Sequence, residues 1–115
     1  MDIRQISETY AVCGQISSDD LPTIAQSGFK SVVCNRPEGE SADQEPFDTI
    51  AKTARGLGME AAFLPVAPQG ATGDDRKVFE RLLTRLLKPV LGYCRSGNRS
   101  ATLWHGLGPA ARLSS

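Results

Sequence analysis

Histidine and cysteine are scarce in this sequence, and their scarcity excludes several kinds of site. The single histidine, His105, and the widely spaced Cys13, Cys34 and Cys94 form no zinc-ligand pattern such as paired C-x-x-C. An odd number of cysteines at wide spacing is not a disulfide framework either. We therefore expect no bound metal, no cofactor and a reducing compartment.

An excess of charge of one sign and long apolar runs are also missing. The 13 Lys and Arg residues balance the 13 Asp and Glu residues, which argues against a nucleic-acid binder or a polybasic membrane-surface protein. No apolar run approaches the roughly 18 residues of a membrane span, and the N-terminal MDIRQISETY is too polar for a signal peptide. We expect a soluble cytoplasmic protein with no nucleic-acid or membrane partner.

The 115 residues suit one domain over 1–115, long enough to bury a core without disulfide or metal staples. Strand-like and helix-like apolar patterns alternate along the chain. Strands are predicted as a short pair within 2–15 and at 29–34, 61–66 and 89–93, and helices at 17–28, 46–58 and 72–87. This alternation predicts an α/β fold with a parallel sheet. The tail 106–115 has two glycines and a proline, and no structure is predicted for it.

Three loops of this predicted sheet are candidate positions for a site. Ligands of open α/β sheets bind beyond the carboxyl ends of the strands. The loops that leave those ends are expected at 35–45, 67–73 and 94–99. We therefore look for reactive residues in these three segments first.

The strongest motif is YCRSGNRS at 93–100, where Cys94 ends a predicted strand and a helix begins near Ser100. Loop N–H groups and the helix N-terminus favour the thiolate of Cys94, and Arg99 adds a full positive charge. The loop also suits an anionic group, because Gly97 lets amides turn inward and Arg99 can hold two oxygens. We predict a nucleophilic Cys94 and an anion-binding Arg99, rather than a buried strand-end cysteine beside a surface loop.

Further residues of the loop and its neighbourhood are predicted to bind substrate, namely Arg95, Ser96, Gly97, Asn98, Ser100 and Arg36. Arg95 either guides an anionic substrate or is a solvated loop charge. Ser100 bonds the thiolate or caps the helix, and these two roles are compatible. Arg36 either binds an anion or forms an ion pair with Glu38 or Glu40.

The loop CRSGNRS resembles the active loop of rhodanese sulfurtransferases, in which four residues separate cysteine and arginine. Residues 2–105 resemble the phosphatase-like domain of beta-lactamase-hydrolase-like proteins, in the segments IRQISETYAVCGQIS, GFKSVVCNRPEGE, FLPV and YCRSGNRSATLW. That family is placed with the protein tyrosine and dual-specificity phosphatase fold, and some members are named sulfur transferases. The resemblance implies a three-layer α/β/α sandwich around four to five mainly parallel strands. It also implies Cys94 as the nucleophile and Arg99 as the anion-binding arginine.

The sequence departs from the phosphatase pattern in three places. The phosphatase signature has five residues between cysteine and arginine, and Ser100 stands where its arginine would fall. Tyr93 replaces the histidine that commonly precedes the cysteine, and Pro68 stands where dual-specificity phosphatases have an aspartate general acid. Asp74 and Asp75 are near, but at a predicted helix start their expected role is N-terminal capping.

Three functions are compatible with these features. The favoured one is sulfur transfer, in which Cys94 takes sulfur from thiosulfate or a persulfide donor and passes it to a thiol acceptor. This reaction needs no strong general acid and suits the short loop. The alternatives are phosphomonoester hydrolysis through a phosphocysteine and a non-catalytic anion-binding module. We expect a small anionic substrate and, for a domain acting alone, a separate sulfur-oxidising enzyme as partner.

Overall fold

The protein is built around one mainly parallel sheet. The computed structural model describes residues 1–114, and for Ala110, Leu113 and Ser114 it describes the backbone alone. The strands are β1 (Arg4–Gln5), β2 (Tyr10–Cys13), β3 (Ser31–Cys34), β4 (Glu60–Phe63) and β5 (Val90–Tyr93). Their order in the sheet is β1-β2-β5-β3-β4, and only β1 runs antiparallel to its neighbour. The predicted mainly parallel sheet of four to five strands is confirmed.

Helices connect the strands, as the alternating pattern predicts. Over residues 1–114 they are α1 (Leu21–Gln26, preceded by a 3₁₀ turn at Ser18–Asp20), α2 (Phe47–Gly56), α3 (Gly73–Arg85), α4 (Asn98–His105) and α5 (Pro109–Ser114). The predicted capping box at α3 is present: the Thr72 hydroxyl accepts from the Asp75 N–H at 3.0 Å, and the Asp75 carboxylate accepts from the Thr72 N–H at 2.9 Å. In the described part of the chain, no helix is long and apolar enough to cross a membrane.

The helices cover both faces of the sheet. Side chains of successive strand residues point to opposite faces, so each of β2, β3, β4 and β5 contributes to two separate clusters. One cluster packs strand residues such as Leu91 against Ile24 of α1 and Ile50 of α2. The other packs strand residues such as Tyr10 against Phe79 of α3 and Leu103 of α4. The expected three-layer α/β/α sandwich is thereby confirmed.

The fourth strand is shorter than the predicted 61–66, since β4 ends at Phe63. Pro65 lacks a backbone N–H and cannot continue a regular ladder. The chain nevertheless stays beside β3, because the Leu64 N–H donates to the Cys34 carbonyl at 2.9 Å and the Val66 N–H to the Asn35 carbonyl at 3.0 Å. These two bonds hold the following loop close to the end of β3.

The sequence predicts no structure for the tail, but the helix α5 occupies Pro109–Ser114. Pro109 has the fixed φ that suits the first residue of a helix. Leu107 is buried just before it, and an Arg112 Nη2–H donates to the His105 carbonyl at 2.6 Å. Ser115, the last residue of that predicted tail, lies outside the described residues.

Candidate active site

Cys94 lies directly after β5, in a loop that leads into α4. The Cys94 N–H donates to the Cys13 carbonyl at 3.4 Å, so the neighbouring β2 holds the start of the loop. The Gly97 N–H points back and donates to Cys94 Sγ at 3.0 Å. Cys94 has no exposed surface. The loop therefore wraps around the sulfur and covers it.

The pKa of Cys94 is lowered although burial raises it. The backbone N–H groups of Ser100, Ser96, Arg99 and Gly97 surround the sulfur and together outweigh the burial. These are N–H groups of the loop and of the first turn of α4, which have no partner within the helix. They stabilise a negative charge on the sulfur, so the thiolate is favoured.

Gly97 makes this wrapping possible. Its φ is +92°, in the left-handed region that side chains disfavour. A Cβ at this position would also lie 3.1 Å from the Cys13 carbonyl oxygen and 2.8 Å from Arg4 Nη2. The sequence prediction that a glycine is needed to turn the amides inward agrees with this geometry. The helix begins earlier than predicted, however, with Gly97 as its N-cap and Asn98 as its first residue instead of Ser100.

Arg99 is held above the sulfur by two acceptors from other loops. Its Nη1 and Nη2 each donate to one carboxylate oxygen of Glu40 at 2.8 Å, and Nη1 also donates to the Val66 carbonyl at 2.8 Å. These bonds use three of the five guanidinium N–H groups. The Glu40 hydrogen bonds are the main cause that raises the pKa of Arg99, and the Cys94 sulfur contributes as well. Nε–H and the second Nη2–H lie on the other edge of the planar group, where they suit two oxygens of an anion.

Glu40 joins two arginines and is the site residue that sequence reasoning missed. Its Oε1 accepts from Arg36 Nε at 3.0 Å, in addition to the bond from Arg99. Chiefly through the Arg99 hydrogen bonds, the pKa of Glu40 is lowered to about 2. The sequence suggests Glu40 only as one of two possible ion-pair partners of Arg36. Glu40 lies four positions after Arg36 but 59 positions before Arg99, and periodicity carries no information at that distance.

Arg36 forms the ion pair, and its partner is Glu40 rather than Glu38. The Arg36 Nη1–H also donates to the Gln15 side-chain oxygen at 3.1 Å, and the side chain is 4% exposed. The Glu38 carboxylate instead accepts from the Phe47 N–H. Of the two alternatives for Arg36, the structure shows the ion pair, and a direct role in anion binding stays a prediction.

Ser100 bonds the sulfur through its backbone N–H and does not cap α4, whose N-cap is Gly97, so only its expected capping role is wrong; its hydroxyl has a different partner. It donates to Asn35 Oδ1 at 2.7 Å, and Asn35 Nδ2 in turn donates to the Leu64 carbonyl at 2.9 Å. The Tyr10 hydroxyl donates to the Ser100 carbonyl at 2.9 Å. The Ser100 backbone N–H is the group that faces the sulfur. These buried bonds fix the first turn of α4 relative to β2, β3 and β4.

A shallow cavity of about 390 Å³ opens above the loop. It is lined by Glu40, Pro68, Arg95, Ser96, Asn98 and Arg99. All three predicted loops therefore contribute to it, in agreement with their place at the carboxyl edge of the sheet. Asn98 Oδ1 also accepts from Nη2 of the exposed Arg4 at 3.3 Å, a contact that the sequence did not suggest. In the described part of the chain, no group of three or more His, Cys, Asp or Glu side chains could hold a metal ion.

The remaining candidates lie apart from the cavity. Cys13 and Cys34 are buried in the core, as expected. Burial is the main cause that raises the pKa of Cys13 to about 12, and it raises the pKa of Cys34 as well. Asp75 serves the capping box of α3, and His105 is exposed at the far end of α4. Cys94 is thus the cysteine whose surroundings favour a thiolate.

Sequence comparison relates this arrangement to known proteins. Residues 2–111 match the family described as the phosphatase-like domain of beta-lactamase hydrolase-like proteins. The chain belongs to this family. The beta-lactamase hydrolase-like protein of Agrobacterium fabrum is 35% identical over 105 residues, which are 90% of this chain and 24% of that protein. The one from Xylella fastidiosa strain Temecula1 is 33% identical over 104 residues, with the same coverage.

The phosphatase-like domain spans about a quarter of the length of these curated relatives. Solved structures support its fold. A proposed phosphatase from Neisseria meningitidis superposes with a TM-score of 0.84 at 28% identity, covering 99% of this chain and 88% of that one. A second, from Shewanella putrefaciens, superposes with a TM-score of 0.76 at 21% identity, covering 90% and 64%. The family resemblance expected from the sequence is confirmed.

Proposed function

We propose that this domain is a cysteine-dependent phosphatase that hydrolyses phosphomonoesters through a phosphocysteine. The observation that carries the proposal is the ring of N–H groups around Cys94 Sγ, which lowers the pKa of a thiol that burial would otherwise raise. The thiolate is the nucleophilic form of cysteine. Membership of a phosphatase-like family and the likeness to the Neisseria structure support phosphoryl chemistry over sulfur chemistry.

The proposed reaction has two steps. The Cys94 thiolate attacks phosphorus, an S–P bond forms, and the P–O bond to the leaving group breaks with its electron pair on that oxygen. Arg99 and the loop N–H groups bind the other phosphoryl oxygens and stabilise the charge that they carry. Water then attacks the phosphocysteine, the S–P bond breaks, and phosphate and the Cys94 thiolate are released. The predicted substrate-binding residues Arg95, Ser96 and Asn98 surround the entrance.

Sulfur transfer is the second candidate, and one feature favours it. Four residues separate Cys94 from Arg99, and the loop covers the sulfur completely. Such a tight ring of amides suits one added sulfur atom on a Cys94 persulfide better than a whole phosphoryl group. In this candidate the outer sulfur of thiosulfate bonds to Cys94 Sγ, and sulfite leaves with the electron pair. The separate sulfur-oxidising partner expected from the sequence belongs to this candidate alone.

Incubation with two substrates distinguishes the candidates. We expect the protein to release phosphate from 4-nitrophenyl phosphate, and to gain no sulfur atom on Cys94 after incubation with thiosulfate. Released phosphate and the intact mass of the protein are the measurements. A gain of one sulfur atom without phosphate release would replace the phosphatase proposal by sulfur transfer.

Glu40→Gln tests the carboxylate that holds Arg99. The amide keeps the shape of Glu40, but it has a single acceptor oxygen and no charge, so the guanidinium loses its bidentate partner. We expect kcat/KM for 4-nitrophenyl phosphate to fall by about 10–100-fold, the scale of a misplaced catalytic group. The loss should lie mainly in kcat, because Arg99 binds the developing charge.

Glu38→Gln is the matched control, because Glu38 is exposed and accepts from the Phe47 N–H instead of an arginine. Its kcat/KM should stay within about threefold of wild type, the scale of an exposed charge. Equal losses in both variants would show that Glu40 does not position Arg99.

The lowered pKa of Glu40 means that the ion pair stabilises the fold above the ordinary carboxyl pKa of 4.5. This contribution disappears as the pH falls towards 2.

A further inference from the structure

The cavity above the Cys94 loop has a single carboxylate, that of Glu40, among its lining residues. Two arginines donate hydrogen bonds to this carboxylate. Glu40 accepts from Arg99 through both oxygens and from Arg36 through one. With a pKa lowered to about 2 it carries no proton at neutral pH. A group without a proton cannot act as a general acid. Glu40 therefore cannot protonate the oxygen of a leaving group.

The loop that brings Pro68 to the cavity has no acid either. Residues 64–73 read LPVAPQGATG and contain no aspartate, glutamate or histidine. The next two residues, Asp74 and Asp75, lie in the first turn of α3, where the Asp75 carboxylate accepts from the Thr72 N–H and Asp74 is exposed. The segment around Pro68 thus brings no carboxyl or imidazole group to the cavity as a proton donor.

The other nearby carboxylates are engaged elsewhere. Glu38 accepts from the Phe47 N–H at 3.1 and 3.2 Å. Asp43 lines a neighbouring cavity of about 240 Å³ and accepts from the Ser41 hydroxyl. That hydrogen bond is the main cause that lowers the pKa of Asp43, and Arg36 and Arg95 contribute. Like Glu40, Asp43 therefore already has hydrogen-bond partners for its carboxylate.

We propose that this site acts on phosphates whose leaving oxygen departs as a stable anion, such as aryl phosphates, acyl phosphates and phosphoanhydrides, and not on alkyl phosphates. This inference rests on the proposed phosphatase function. The P–O electron pair stays on the departing oxygen, and no proton is transferred to it within the site. A phenolate leaves in this way, because phenols have a pKa of about 10, whereas an alkoxide is about as basic as hydroxide and needs a proton.

The charge at the entrance supports the departure of an anion. Arg95 is exposed and lines the cavity, and the exposed Arg4 reaches Asn98 at its rim. A guanidinium group acts on an anion by its charge and its hydrogen bonds and not by transferring a proton. Positive charge without a transferable proton stabilises a phenolate or a carboxylate, but it does not replace the bond to hydrogen that an alkoxide needs.

A series of aryl phosphates with leaving phenols of graded acidity tests the proposal. We expect kcat/KM to fall steeply as the pKa of the leaving phenol rises, by about fivefold to tenfold per pKa unit, because no acid assists the departure. Phenethyl phosphate, an alkyl ester with an aromatic ring, should show no measurable turnover. A nearly flat dependence, or turnover of phenethyl phosphate comparable to that of the aryl esters, would overturn the inference.

Two variants test whether Asp43 or Asp74 acts as a general acid. A third variant, at Cys94, tests the phosphatase function separately from the inference about the leaving group. Asp43→Asn and Asp74→Asn should leave the slope unchanged, and a slope that steepens in either variant would identify an acid and contradict the proposal. Cys94→Ser should hydrolyse none of the esters. If wild type hydrolyses none, or if Cys94→Ser hydrolyses them as well as wild type, the phosphatase function itself fails. If only the slope is flat, that function stands and the inference about the leaving group fails.

Discussion

Cys94→Ser is expected to lose phosphatase turnover by about 10⁴-fold or more, the scale on which removal of a nucleophile acts. The four N–H groups that surround Sγ lower the pKa of the cysteine, but a serine hydroxyl is too weak an acid to ionise in the same place. The variant should still bind phosphate, because Arg99 and the loop amides remain. Turnover of 4-nitrophenyl phosphate and phosphate binding by calorimetry are the measurements, with the fold checked by circular dichroism.

Cys13→Ala is the matched control for this variant. Cys13 is also buried beside the loop, but burial raises its pKa to about 12, so it stays a thiol at neutral pH. We expect its kcat/KM to change by less than about fivefold, since it loses a small core group and no nucleophile. If wild type and Cys94→Ser bind phosphate equally and neither turns over any ester, the domain is the non-catalytic anion-binding module.

Arg99→Lys is expected to lower kcat/KM by about 10²–10³-fold, the cost of removing a well-placed donor to a developing oxyanion. Glu40 and the Val66 carbonyl orient the planar guanidinium through Nη1 and Nη2, and we expect its Nε edge to bind the anion. A lysine keeps the charge but has no second edge, so it cannot bind Glu40 and two phosphoryl oxygens at once. Steady-state kinetics on 4-nitrophenyl phosphate measures the loss.

Arg95→Lys is the natural comparison, because it makes the same change one residue after Cys94. Arg95 is exposed at the rim of the cavity, and in the described part of the chain no salt bridge orients its guanidinium as Glu40 orients that of Arg99. A lysine retains its charge, so we expect kcat/KM within about fivefold of wild type. Comparable losses at Arg95 and Arg99 would show that the roles of the two arginines have been assigned wrongly.

Local patterns in the sequence determined most of the fold. Alternating strand and helix periodicities predict the parallel sheet, and capping residues such as Thr72 and Asp75 mark the start of α3 because their bonds join residues three apart. The same reasoning finds Cys94 between a strand and a helix N-terminus, with Gly97 at the turn. It assigned no structure to the tail and so missed α5, because one proline can begin a helix as readily as interrupt one.

Local patterns left the chemistry of the site open. The spacing of Cys94 and Arg99 favours sulfur transfer by its resemblance to rhodanese loops, whereas the family and the structural neighbours support the phosphatase alternative better. Loop length describes one segment only. The reaction also depends on which groups from other loops face that segment. At Pro68, for example, a proline stands where dual-specificity phosphatases have an aspartate general acid.

The sequence by itself determined the α/β class and the strand–loop–helix setting of Cys94, because these depend on interactions between residues a few positions apart. Tertiary structure alone decided that Glu40 holds Arg99, that Ser100 bonds Asn35, and that the Tyr10 hydroxyl reaches the Ser100 carbonyl. These partners lie 59, 65 and 90 residues apart. They meet because parallel strands bring their carboxyl ends to one edge of the sheet, where loops that are distant in the chain become neighbours.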